Sequence, residues 1–102
     1  MVNINISIYV YATNDQYTIM KMKEVLQKLE ISDEYTYTVE PYWKFSDMFE
    51  AVVQTQCQLN RDCLQNIADI WIEHPIDILT TDTIDGNALK IKDIAMITIY
   101  FN

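Results

Sequence analysis

A chain of 102 residues suits one domain, and a single glycine with two prolines leaves little material for linkers or disordered tracts. Half of the residues are apolar, enough for a genuine core. Fifteen acidic against seven basic residues give a net charge of -8, which repels phosphate backbones and anionic lipid and argues against a nucleic-acid or membrane partner.

Ile4, Ile6, Ile8 and Val10 alternate with Asn5, Ser7, Tyr9 and Tyr11, which predicts a first strand. Thr13 and Gln16 have the spacing of a capping box. Ile19, Met22, Val25, Leu26 and Leu29 then share one face of a helix, with Glu24 and Lys28 four apart on its exposed side. Lys21, Lys23 and Lys28 form a basic strip on this helix, diluted by Glu24 and Glu30. Tyr35, Tyr37, Val39 and Pro41 alternate with Thr36, Thr38, Glu40 and Tyr42 as a second strand, and Pro41 marks its end or an edge. Strand, helix and strand in this order form a βαβ unit, which implies parallel pairing.

Ser46 reads as an N-cap with Phe45 as half of a hydrophobic staple. At about 100° per residue, Phe49, Val52, Val53, Leu59, Cys63, Leu64, Ile67, Ile70 and Trp71 fall on one broad face. The spacing predicts one helix from Asp47 to Glu73, bent near Asn60. His74-Pro75 stops it, with His74 as a C-cap group beside the helix dipole. Ile76, Ile78 and Thr80 begin a third strand, and Asp85-Gly86-Asn87 is turn chemistry. A short segment around Leu89 and Ile91 follows, and Ile97, Ile99 and Phe101 alternate in a closing strand from Ala95. The expectation is one α/β domain over residues 1–102, ordered β-α-β-α-β-β(-β), with a mixed sheet packed by two helices. An α+β ferredoxin-like arrangement is the alternative.

Candidate chemistry is sparse. Cys57 and Cys63 stand six residues apart, about 9 Å along a continuous helix and beyond the ~7 Å a disulfide spans, so unbridged thiols are expected. A break at Asn60 would reopen that bond. Their spacing fits neither a zinc knuckle nor a redox pair. His74, the one histidine, has no second histidine with which to hold zinc, and no base stands beside a cysteine or serine. Asp82, Asp85 and Gly86 match only a fragment of a calcium loop. No catalytic, cofactor-binding or metal residue is nominated. Gln56 and Asn60, set within the apolar helical face, suit either an overhang in water or a dimer seam.

The segment from Ile6 to Pro41, with the later run His74-Pro75 to Ile91, resembles the opening βαβ and the proline-led hairpin of glutaredoxins. The resemblance implies a thioredoxin-like fold, with Pro75 as the family's cis proline. The family's redox cysteines are replaced here by Thr13-Asn14-Asp15-Gln16-Tyr17, so its thiol chemistry is not implied. In its wealth of Ile, Tyr, Thr and Asn and its near-absence of Gly, the chain also resembles small proteins of filamentous viruses of thermoacidophilic archaea, many without an assigned activity and some of them homodimers.

The expected function is that of a viral or mobile-element protein, not an enzyme, which needs no cofactor and acts by binding another protein, as a homodimer. Candidate interaction residues are Tyr35, Tyr37, Tyr42, Trp43, Val53, Gln56 and Asn60. The seam is expected either on the long helix, or by strand addition near Pro41 or on the closing strand. The rivals are a thioredoxin-like thiol enzyme or thiol-binding module, and a nucleic-acid binder using the lysines of the first helix. No stretch reaches the ~20 apolar residues of a membrane helix, and the residues before Lys21 do not read as a signal peptide. An intracellular address is expected, the host cytoplasm for a viral protein.

Overall fold

The computed structural model describes residues 2–32, 34–81 and 89–101. The turn expected at Asp85-Gly86-Asn87, and the calcium-like residues with it, lie outside them. The elements are β1 (Val2–Tyr11), α1 (Asp15–Lys28), β2 (Tyr35–Pro41), β3 (Met48–Cys57), a 3-10 turn (Arg61–Asn66), β4 (Ile72–His74), β5 (Ile78–Thr80) and β6 (Ile94–Phe101). All six strands join one sheet in the order β2-β3-β1-β6-β5-β4, and every neighbouring pair is antiparallel.

This overturns the α/β reading. The helix expected over Asp47–Glu73 is β3 followed by the 3-10 turn and β4. Its first half alternates strictly: Phe49, Ala51, Val53, Thr55 and Cys57 lie on one side, while Met48, Glu50, Val52, Gln54 and Gln56 lie on the other. Val53 faces Ile6 across the ladder to β1, and Tyr37 faces it from β2. A strand in mid-sheet gains ladder hydrogen bonds on both edges, and that tertiary gain overrides helical spacing. Ser46 and Phe45 therefore sit in a hairpin loop, and His74 closes β4 opposite Ile78.

β1 and β2 do run the same way, but β3 lies between them and antiparallel to both, which makes a split βαβ. The sheet is neither mixed nor thioredoxin-like. The ferredoxin-like alternative fails with it, because α1 is the one α-helix among the described residues. No peptide bond among them is cis, so the cis proline implied for Pro75 is not found.

The core lies on one face of the sheet. Ile4, Ile6, Ile8 and Val10 are completely buried, flanked by Ala51 and Val53 of β3 and by Ile97 and Ile99 of β6. Met22, Val25 and Leu26 of α1 and its C-cap Leu29 join them in one cluster, and Leu64, Ile67, Ala68 and Ile91 extend it beyond the helix. Asn14, not Thr13, caps α1 and accepts the Tyr17 amide at 2.8 Å. At the other end the amides of Glu30 and Ile31 bond Gln27 O and Leu26 O, a Schellman closure. Glu30 takes the left-handed φ of 57° that this closure needs. Lys21 is buried and bonds Glu24 at 2.7 Å, so it does not form a basic strip with Lys23 and Lys28.

Val52 and Val53 separate the two architectures experimentally. On the strand only Val53 is in the core, so Val53→Ala should cost about 1.5–3 kcal/mol. Val52→Ala should change stability by about 0.5 kcal/mol or less. Equal losses in denaturant unfolding would contradict the strand.

Candidate functional site

The face opposite α1 is left open over β2, β3 and β1 by the described elements, and the chemistry concentrates at one end of it. There β1 ends at Tyr11, opposite the first residue of β3, Met48. Pro41 ends β2, yet the Tyr42 amide still bonds Met48 O at 2.9 Å, continuing the ladder one step. Alternation then places Tyr42 on the open face with Glu40 and Thr38. The Met48 amide turns back to Phe45 O at 3.3 Å, and this closure carries Trp43, Lys44 and Phe45 out at the tip.

The rings cluster. Tyr9 meets Tyr42 edge-on with centroids 4.9 Å apart, and Tyr42 lies 6.0 Å from Trp43 and 6.1 Å from Phe45. Trp43 is 86% exposed, an unusual state for so large a ring. The Lys44 ammonium sits 5.8 Å from the centre of the Phe45 ring.

Two carboxylates border these rings. Glu40 and Glu50 stand directly opposite each other on β2 and β3, and Tyr9 stands opposite Glu50 on its other side. Like charges in that position destabilise a sheet. None of the ion pairs among the described residues engages either carboxylate. Burial, and then the bond to Glu50, push the Tyr9 phenol far above its usual value. Tyr9 therefore keeps its proton beside the Glu50 carboxylate.

Beside the rings an open cleft of 440 Å³ is lined by Tyr11, Ala12, Thr13, Asn14, Tyr17 and Asp47. The Tyr17 phenol donates to Asp93 at 2.5 Å, and this bond raises its pKa. Asp93 takes a φ of 65° just before β6, where its carbonyl accepts the Tyr11 amide at 2.8 Å. The cleft offers hydroxyls and carboxylates but no thiol or imidazole. Among the described residues no group of three or more His, Cys, Asp or Glu side chains is placed to hold a metal.

The other expected residues do not converge here, apart from Tyr42 and Trp43. Tyr35 and Tyr37 lie on the helix side of β2 with ring centroids 6.1 Å apart. Val53 is fully buried, so it cannot serve as an exposed seam, and the long-helix seam disappears with the helix. Gln56 is exposed near the far end of β3. Asn60 caps the 3-10 turn, accepting the Asp62 amide at 3.0 Å. Cys57 ends β3 and Cys63 lies in the 3-10 turn, both buried and with no disulfide between them. The Cys63 thiol donates to Glu30 at 3.2 Å, and that bond raises its pKa. Sequence reading missed Tyr9, Glu40, Glu50 and Phe45 as a group. Their one signal was the strand period in β3, which fixes the ladder that aligns them.

No protein-family model, curated protein or solved structure matches this chain. No helix among the described residues is long and apolar enough to cross a membrane.

The raised groups set an alkaline limit on stability. Cys63, Tyr9 and Tyr17 hold their protons more tightly in the fold than in the unfolded chain. Their contribution is complete below about pH 8, and it is lost as pH rises through the folded values because the unfolded chain ionises first, cysteine before tyrosine. Denaturant unfolding should show stability falling above about pH 8–9 and more steeply above about pH 10, with the steeper fall reduced in Tyr9→Phe and Tyr17→Phe. A slope unchanged in both variants would contradict the assignment.

Proposed function

We propose that this chain is a non-enzymatic protein-binding domain that takes a basic segment of another protein on the aromatic end of its open sheet face. The reading is carried by one observation, the exposed Trp43 and Phe45 clustered on half-buried Tyr42 and bordered by two opposed carboxylates that no described cation neutralises. Stiff amphipathic rings bury large area at low entropic cost, which is why Trp and Tyr dominate binding hot spots. A guanidinium or ammonium group can lie against such rings while bonding Glu40 or Glu50. It would also relieve the repulsion between the two carboxylates. Lys44 over Phe45 is the same contact made within the chain. The net charge of -8 favours a cationic partner over nucleic acid.

The test is a titration with a short Arg-Gly repeat peptide, followed by NMR through the Trp43 indole N–H. The Trp71 indole, bonded to Leu64 O at 3.0 Å, serves as the internal control. The Trp43 signal should move with the Arg peptide and not with its Gln-Gly counterpart, and salt should weaken the effect. Trp43→Ala should cost about 1–2 kcal/mol of binding, and Glu40→Gln somewhat less. A response to the Gln peptide as large as to the Arg peptide, or to a single-stranded oligonucleotide instead, would sink the reading.

A further inference from the structure

The two edges of the sheet differ. β4 is three residues long, carries Glu73 paired with Arg61, and turns directly into a tight loop with positive φ at Ile76 and Asp77. Those features blunt an edge. β2 has seven residues in unbroken register with β3 and no lysine or arginine.

The ladder determines which β2 groups point outwards. The Tyr42 amide bonds Met48 O, so in an alternating antiparallel ladder the even-numbered residues of β2 face β3. The amides of Tyr35, Tyr37 and Val39 then face away from the sheet. Pro41, which has no amide hydrogen, falls on that same outward side, where proline costs no ladder bond. Tyr37 is 42% exposed on the side of the strand that faces the core.

We infer that β2 is the seam of a two-fold dimer, pairing antiparallel with β2 of a second copy about an axis through Thr38. In that register Tyr37 lies opposite Val39 of the second copy and exchanges both main-chain bonds with it. The Tyr35 amide reaches the carbonyl of Pro41, Thr36 meets Glu40, and Thr38 meets itself. Aromatic against β-branched and Thr against Thr are favourable cross-strand pairs, and Val39 covers the exposed flank of Tyr37. Sliding the axis to Tyr37 would set Glu40 against Glu34 of the second copy, so charge selects Thr38. Each chain supplies the same patch to the other, as a closed two-fold requires. The result is one twelve-stranded sheet with both helices on one face. Trp43 and Phe45 lie beyond the seam at its opposite ends, while Glu40 falls within it.

Light scattering with purified protein from micromolar to submillimolar concentration should report twice the 12.0 kDa chain mass. Thr38 is exposed, and its substitution places two like charges opposite each other across the axis. Thr38→Lys and Thr38→Glu should each halve the mass to that of one folded chain, as monitored by far-UV circular dichroism. Mixing the two variants should restore the doubled mass as a one-to-one heterodimer, because only residue 38 then carries opposite charges across the axis. Trp43→Ala should remain a dimer, which separates this seam from the partner site. A monomeric parent, a Thr38→Lys dimer, or folded variants that fail to pair when mixed would each overturn the inference.

Discussion

Strand β1 is the constraint on which everything else depends. Its even-numbered residues, Ile4 to Val10, have no exposure at all, and each is braced on one side by β3 and on the other by β6. Burying four such side chains releases on the order of 6–12 kcal/mol of hydrophobic free energy before ordering costs. β6 shares the central position and an apolar side, Ile97, Ile99 and Phe101, but of the two only β1 is paired along its length to a long strand on each edge. Because α1 and the segment around Ile67 cover that side, the odd-numbered residues are committed to the other, and Tyr9 and Tyr11 follow by alternation alone. The candidate site is thus a by-product of core register. A one-residue slip would bury both tyrosines and expose the isoleucines.

The order of strands and the order of the chain are different things here, and this separates what was legible from what was not. β1, α1, β2 and β6 stand close to where the alternation and the 3.6-residue period put them, because each carries a clean apolar face. β3 was misread because Phe49, Val52 and Val53 fit helical spacing, and Ser46 imitates a cap. The contrary signal was present: a helix could hold Gln56 and Asn60 only by placing them on its apolar face. As a strand, Gln54 and Gln56 alternate out to solvent without cost. The insertion of β3 between β1 and β2 is a tertiary fact that no local period encodes.

The same gap explains the site. Tyr42 and Trp43 could be picked out as aromatic residues in a polar setting, but Tyr9, Glu40 and Glu50 are distant in sequence and meet only through two ladders. Like charges opposed on a sheet are ordinarily avoided, and here they sit beside a phenol that keeps its proton next to one of them. Stability foregone at a surface position is a mark of function more than of folding. At the far end Glu30 adopts a left-handed backbone usually given to glycine, while its carboxylate accepts the Cys63 thiol. Such strain at a helix end is tolerated where a specific contact holds it.

The central pairing of β1 with β6 also has a temporal meaning. Ile4 lies opposite Phe101, so β1 waits until β6 has been synthesised before one of its edges is closed. Until then β1, α1, β2 and β3 form only a three-stranded sheet whose most apolar strand is an open edge, and the β4–β5 hairpin has nothing to join it to that sheet. Contacts of such long sequence separation slow folding, and an unpaired hydrophobic edge invites association. On a ribosome, where β6 emerges after the other described strands, the interval is set by translation itself. The polar Asn3, Asn5 and Ser7 on the reverse of β1 keep that waiting edge from being apolar on both faces.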